Sequence, residues 1–350
     1  MTEQIVVGDK VYFKTADGTV KGWGNNSLLD EAAQESGKPA AIADLANTKR
    51  LALGGVLTMC AAMNDGSAKC WGNGENGELG DGKDSQSDKP IAVPGITNVA
   101  AIGVGSYFAC ALIGDGTVKC WGNNSFNQAS VEKKEKFVTP TTMPDVASIQ
   151  QIAVGGGSTC ALAKDGTVKC WGLTCGAAGP NFCVRPFTVA EFAGASSIAA
   201  GWTSTCAVVK DSVQCYGDNA YGQRGTGSTD DLGEKITPVK GLTNVKELAA
   251  GELHWCALLK DGTVQCWGSN GFGQLGDPAL PSGDDAKRAT PAPVLGLSNA
   301  TSLSCGRATC CSLLADKTVK CWGENPLGAW FGPSNAKVGE TATPVVVPVN

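Results

Sequence analysis

The chain has 350 residues and a formal net charge of −5, a balance that repels polyanions and argues against nucleic acid or anionic membrane as its main partner. Its 47 glycines and 42% hydrophobic content suit a folded, turn-rich β protein rather than a disordered one. Sixteen cysteines, an even number, imply a disulfide framework and an oxidising compartment, extracellular or at the cell surface.

The first element is a β-hairpin around Asp17-Gly18, with Tyr12 and Gly22 at the facing positions and Trp23-Gly24 after it. An aromatic lying across a cross-strand glycine covers its bare backbone. The opening "MTEQIVVGDK" lacks the long apolar core of a secretory signal, and no run is long enough to span a membrane. Met1 is therefore read as standing where a leader has been removed, within a parent chain that can carry further domains.

The second and third copies replace that aromatic–glycine pair with cysteines, Cys60/Cys70 and Cys110/Cys120, before Trp71 and Trp121. The fourth, "CALAKDGTVKCWG" (Cys160 to Gly172), shows why the spacing is ten. Alternating apolar and polar residues flank Asp-Gly, the signal for two antiparallel strands and a tight turn. A three-residue loop, Lys164-Asp165-Gly166, pairs Ala163 with Thr167, Leu162 with Val168, and Cys160 with Cys170. Facing α-carbons then lie about 4.5–5.5 Å apart, within disulfide reach.

The fifth copy, "CAVVKDSVQC", is one residue shorter, so a two-residue Lys210-Asp211 turn still sets Cys206 opposite Cys215. A spacing that follows turn length to preserve pairing points to a covalent bridge rather than to zinc, which prefers cysteines two to four apart. Cys256/Cys266 and Cys311/Cys321 complete six hairpin bridges. Cys175 and Cys183 bracket a loop, and Cys305 and Cys310 flank a short turn, so eight local disulfides use every cysteine.

Trp-Gly or Tyr-Gly recurs at 23, 71, 121, 171, 216, 267 and 322, seven copies 45 to 55 residues apart. Such a period with several short strands marks a repeat array. A small apolar run precedes each copy and suits an innermost strand. A segment opened by proline (Pro39, Pro90, Pro140, Pro186, Pro238, Pro291, Pro344) follows a polar loop. Proline cannot donate to a ladder, so this segment is expected at a sheet edge. The fold class expected is all-β: one seven-bladed β-propeller over 1–350, with four-stranded antiparallel blades, intra-blade disulfides and approximate repeats 1–47, 48–97, 98–147, 148–196, 197–245, 246–298 and 299–350. "TPVVVPVN" and "MTEQIVVG" together resemble one interrupted connector, so the terminal strands are expected to meet.

The stretch "CALLKDGTVQCWGSNGFGQLGD", Cys256 to Asp277, resembles the repeat of the regulator of chromosome condensation family in its cysteine-rich bacterial form. The resemblance covers the whole chain and implies a seven-bladed propeller. Functions known in that family include nucleotide exchange on a small GTPase, chromatin binding, and β-lactamase inhibition by a propeller face. An oxidising location excludes a nuclear GTPase here, and a shared fold does not fix function. Blades one, three and four lose the Gly-Gln-Leu-Gly motif after Trp-Gly.

Candidate chemistry is sparse. His254, in "GELHWC", is the single histidine and is read as a structural or contact residue rather than a general base. The acidic stretches "LGDGKDSQSD" and "GSTDDLGE" follow no calcium-loop pattern and are read as solvated loops. The repeated tryptophans are read as inter-blade packing, and Trp330 as core. No catalytic residue, metal or cofactor is expected.

The turns between each leading glycine and cysteine are more informative. They hold Tyr107, Phe108, Trp202, Glu252, His254, Trp255 and Arg307 on the face that carries the long loops, joined there by Phe331, while the Lys-Asp-Gly hairpins lie on the other. Tyrosine, tryptophan and arginine dominate binding hot spots, so Tyr107, Trp202, Trp255, Arg307 and Phe331 are expected to be partly exposed. The function expected is a non-enzymatic extracellular recognition module, such as a surface adhesin domain, binding a protein or surface glycan. The alternative is a secreted inhibitor capping an enzyme active site, and third comes a hydrolase or lyase at the propeller mouth.

Overall fold

The structure, a computed structural model, describes residues 2–7, 11–22, 39–54, 58–173, 183–230, 235–325 and 339–347. These form seven four-stranded antiparallel sheets spanning 2–41, 48–92, 99–142, 149–188, 195–238, 245–293 and 300–347, each with its strands in chain order. The protein is an all-β, seven-bladed propeller. Two three-residue 3-10 turns, Ala43–Leu45 and Ala190–Phe192, are the only helical elements among the described residues, and no helix there is long and apolar enough to cross a membrane.

By compactness the chain divides into two units, each described by itself. One comprises Asn47–Asp218 and Leu232–Thr237, the other Met1–Ala46, Asn219–Asp231 and Pro238–Asn350.

The hairpin register is the expected one. Cys160 faces Cys170, Leu162 faces Val168, and the Ala163 amide donates to the Thr167 carbonyl at 2.8 Å. Gly166 closes the turn at φ +84°, a conformation that a β-carbon disfavours. In the short copy Val209 faces Ser212, with Lys210 at φ +56°, and Cys206 still faces Cys215.

The bridges Cys60–Cys70, Cys110–Cys120, Cys160–Cys170, Cys206–Cys215, Cys256–Cys266 and Cys311–Cys321 all form, with α-carbons 4.0–4.2 Å apart. That is closer than a facing pair sits without a bond. Cys305–Cys310 also forms. Cys183 is disulfide-bonded, and its expected partner Cys175 lies outside the described residues. Tyr12 faces Gly22 and is buried, as the missing bridge of blade one requires.

The prolines mark the edges. Pro90, Pro140, Pro186, Pro238, Pro291 and Pro344 all fall in fourth strands, and Pro39 directly precedes one. At the opposite edge, first strands meet first strands. Thr48–Leu53 touches Val99–Val104, which touches Ile149–Val154, which touches Ala195–Ala200; in the other unit Ala300–Gly306 touches both Val245–Ala250 and Thr2–Val7. Small side chains allow that approach.

Apolar cores lie between successive blades, as in the cluster of Leu79, Val93, Ile96, Val99, Ile102 and Trp121. Ile5, Val7, Val11 and Phe13 share a core with Leu313, Val319 and Val347, so the first blade packs against the last, Thr2–Val7 touching Ala300–Gly306 and Thr309–Leu314.

Six of the seven hairpin turns are fastened by their aspartate. The Asp165 carboxylate accepts the Thr167 amide at 2.9 Å, and Asp65, Asp115, Asp261 and Asp316 do the same for the residue two ahead. Hydrogen bonds to the charged form lower the carboxyl pKa. For Asp17 the Thr15 hydroxyl is the largest cause, bringing it from 3.8 to about 2. Asp65, Asp115, Asp165, Asp261 and Asp316 are lowered too, chiefly by Ser67, Thr117, Thr167, Thr263 and Thr318 respectively. A carboxyl that binds its proton more weakly when folded stabilises the fold fully above its unfolded value and loses that contribution as pH falls through the folded one. The melting temperature followed by circular dichroism should therefore drop on acidification from about pH 4 to about pH 2, with less of a drop in an Asp17→Asn variant.

Candidate functional site

The site is built from two kinds of turn on one edge of the blades. The turn between first and second strands lies beside the loop after Trp-Gly because backbone bonds join them. Asn123 donates to Tyr107 O at 2.8 Å, Leu173 to Gly157 O, Asp218 to Thr203 O, Ser269 to Leu253 O and Glu324 to Ala308 O.

The glycine after each tryptophan makes this junction possible. Gly122 has φ +102°, and a β-carbon there would lie 2.5 Å from Tyr107 O. Trp-Gly is thus a bend at which the third strand keeps its register with the second and shifts it against the fourth, between Cys120 and Gly122.

The long loops share an internal frame. Asn124 Oδ1 accepts the amides of Ala129 and Ser130, while its Nδ2 donates to the Glu132 and Lys134 carbonyls. Asn219 and Asn270 repeat the arrangement, binding the Arg224 and Leu275 amides and donating to Ser228, Asp230 and Pro281 carbonyls.

Four residues on, Gln128, Gln223 and Gln274 accept the amides of Phe126, Tyr221 and Phe272 through Oε1. Their own backbone carbonyls take the indole N–H of the next blade. Trp171 donates to Gln128 O at 3.0 Å, Trp267 to Gln223 O at 2.9 Å, Trp322 to Gln274 O at 3.0 Å, and Trp121 to Glu78 O at 2.7 Å. Blade three, whose sequence loses Gly-Gln-Leu-Gly, therefore keeps the frame through Asn124 and Gln128.

Sequence reasoning missed the residues this frame presents. Phe126 and Phe272 are each 39% exposed, and Tyr221 is half-buried under the Lys287 ammonium, 5.7 Å from the ring centre. The signal is Asn-x-aromatic-x-Gln, present at 124–128, 219–223 and 270–274.

In the unit of blades two to five, three first turns are chained by backbone bonds: Ser106 N to Gly156 O at 3.0 Å and Gly156 N to Gly201 O at 3.2 Å. Tyr107 stands 42% exposed on the first. The half-buried Trp202 ring on the third lies 2.8 Å from where a Gly156 β-carbon would be, so glycine there is what gives the indole its seat.

In the other unit Glu252 N donates to Arg307 O at 2.9 Å. Glu252 is half-buried, and Arg307 is exposed and paired with Glu324 at 3.5 Å. Exposure thus holds for Tyr107, Trp202 and Arg307.

It fails for Trp255, which is buried, as are Phe108 and His254. Those three begin second strands, opposite Gly122, Gly268 and Trp267, instead of belonging to the turns. The Phe108 ring covers Gly105 and the His254 ring covers Gly251. Phe331 and Trp330 lie outside the described residues. Burial pushes the His254 imidazole down from 6.5 to about 3, so it is neutral. Its neighbours Cys256, Cys305 and Cys310 bring their sulfurs within 4.8 Å of it and of one another, but all three are held in bridges and offer no thiolate.

Residues 65–128, 149–175 and 245–329, just over half of the chain, match profiles of the regulator of chromosome condensation (RCC1) repeat. The chain belongs to this repeat family. Among curated RCC1-repeat relatives, protein pim1 of Schizosaccharomyces pombe is 37% identical over 89 residues, 23% of this chain and 16% of pim1. The ultraviolet-B receptor UVR8 of Arabidopsis thaliana is 39% identical over 66 residues, 18% of this chain and 15% of the receptor. Each match thus spans under a fifth of the relative.

The solved structure of Prp20p from Saccharomyces cerevisiae superposes with a TM-score of 0.81 at 20% identity, over 96% of this chain and 87% of that one. Human WBSCR16 gives 0.77 at 20%, over 89% and 84%. At that identity the likeness shows the fold.

The indole bond is the joint of the RCC1 repeat here, so Trp171→Phe should leave the buried Gln128 carbonyl unpaired. Denaturant unfolding should show a loss of about 1–3 kcal/mol, with near-native far-ultraviolet circular dichroism.

Proposed function

We propose that the protein is a non-enzymatic recognition module that binds another protein through the loop-bearing edge of its blades, in an oxidising compartment outside the cytoplasm. The observation that carries this reading is the chained turn of Ser106-Tyr107, Gly156 and Trp202. An exposed tyrosine and a half-buried indole are held there by backbone bonds on neighbouring blades. Large aromatics that lose little freedom on binding make efficient anchors.

The opposite edge repeats Asp-Gly turns of nearly one chemistry and offers little to discriminate partners, whereas irregular loops on a rigid scaffold do. Structural neighbours support a protein as the partner class: Prp20p is described with binding properties to Gsp1p and histones, and yeast RCC1 (Prp20) has been solved bound by Kap60. The bridges support the compartment.

A panel of purified secreted and surface proteins immobilised for interferometry tests this. For a partner found there, Tyr107→Ala and Trp202→Ala should each weaken binding by about 2 kcal/mol, roughly 30-fold, while Lys164→Ala and Lys260→Ala leave it unchanged. Hydrogen-exchange protection confined to the Lys-Asp-Gly turns would place the interface on the other edge and overturn the assignment.

A further inference from the structure

One bridge departs from the repeat plan. Cys305–Cys310 joins the first and second strands of blade seven across the Arg307-Ala308 turn, whereas the hairpin bridges join second to third. Among bridges with both cysteines described, it alone has a cysteine that is not fully buried: Cys305 is half-buried, and the hairpin cysteines and Cys310 are all fully buried.

Its inner sulfur sits at a patterned position. In blades four and five the residue before the repeat cysteine faces the bridge of the preceding blade: Thr159 lies 3.6 Å from Cys110 Sγ, and Thr205 lies 3.9 Å from Cys160 Sγ. In blade seven this residue is Cys310, and its Sγ lies 3.5 Å from Cys256 Sγ. His254 Nε2 is 3.1 Å from the same sulfur. A disulfide sulfur carries no proton, so only the Nε2–H tautomer makes a hydrogen bond there. Nδ1, the ring atom without a partner, then holds the bare lone pair.

We propose that Cys305–Cys310 is a thiol–disulfide exchange site for dithiols, and that it relays the exchange inward to Cys256–Cys266. A dithiol thiolate attacks Cys305 Sγ. The Cys305–Cys310 bond breaks, and Cys310 leaves as a thiolate that accepts the His254 Nε2–H hydrogen bond. The second thiol of the dithiol displaces Cys305, which takes a proton, and the dithiol departs as its own disulfide, having supplied two electrons.

A buried thiolate beside a neutral imidazole is poorly stabilised, and it attacks Cys256 Sγ. The Cys256–Cys310 bond forms, Cys256–Cys266 breaks, and Cys266 leaves and takes a proton. This second step is an isomerisation without net redox change, and nucleophile and target already lie in contact. No other hairpin bridge with both cysteines described has a sulfur neighbour recorded in the next blade.

The test is time-resolved alkylation of the intact, folded protein with dithiothreitol as the dithiol, read by peptide mass spectrometry. Cys305 and Cys266 should be labelled on the order of tenfold faster than Cys60, Cys110 or Cys160, together with a linked Cys256–Cys310 peptide. Labelling of all bridges at one rate overturns the exchange site, and labelling of Cys305 and Cys310 without Cys266 overturns the relay.

Cys305→Ser tests the relay without reductant. Its odd thiol should be shared between Cys310 and Cys266, and a thiol found wholly on Cys310 in the folded variant excludes the inward step. His254→Phe, which installs the residue that blade three carries at this register, should slow labelling of Cys305 several-fold while the rates at Cys60 and Cys160 stay put. An unchanged Cys305 rate removes the imidazole from the mechanism.

Discussion

One kind of hydrogen bond sets four of the blade junctions: an indole N–H of one blade reaching a backbone carbonyl in the loop of the blade before it. The donor is buried, as Trp121, Trp171, Trp267 and Trp322 show, so leaving it unpaired costs desolvation without return. The acceptor must therefore be presented at a fixed place, and a loop holds a carbonyl in place only if its own polar groups are satisfied. Asn124, Asn219 and Asn270 supply that, each spanning its loop from start to end with both amide atoms. The same frame lifts Phe126, Tyr221 and Phe272 toward solvent. Rigidity between blades and display at the edge thus come from one set of residues.

The constraint also explains why the two edges of a blade differ. The Asp-Gly turn satisfies itself within five residues, through a carboxylate accepting from the residue two ahead, and needs nothing from its neighbours. It is free to repeat nearly unchanged, and it does in five of the seven blades. The opposite edge must match first turn, long loop and adjacent blade at once. Beyond the asparagine, the glutamine carbonyl, the positive-φ glycine and the buried Ala129 or Leu275 that follows the glutamine, the exposed loop positions carry fewer demands from the fold. Sequence variation is tolerated at those positions.

The hairpins were legible because their information is local. Two-residue alternation, a turn glycine and paired cysteines all lie within a dozen residues, and the shortened copy around Lys210-Asp211 kept Cys206 opposite Cys215. Edge prolines were legible for the same reason, since a missing amide is a property of one residue. The exposure pattern on the loop-bearing edge was legible only in part. Whether an aromatic near the leading glycine points outward depends on which side of the first strand pair it begins. A shift of one residue moves it from Tyr107, at the surface, to Phe108, folded over Gly105. Trp255 and His254 fell on the inner side for that reason. The loop frame of blade three was missed because Gly-Gln-Leu-Gly was taken as the motif, when the physical requirement is an asparagine and a glutamine four apart.

Contacts between blades carry no local signal at all, and the cysteines show the consequence. Each hairpin bridge closes a short loop, worth about 2–3 kcal/mol at best in the unfolded-state account, and spacing alone identifies it. That spacing does not reveal that in blades four, five and seven the residue just before the cysteine meets the previous blade's sulfur. With threonine there, the contact is a weak hydrogen bond to an inert bridge. With Cys310 there, a reactive atom is set against another bridge and beside the single histidine of the chain. The fold tolerates this substitution because Cys305 lies opposite on the first strand and ties the extra sulfur down. One position of the repeat, packing-driven in blades four and five, acquires chemistry in blade seven without any change to the scaffold that holds it.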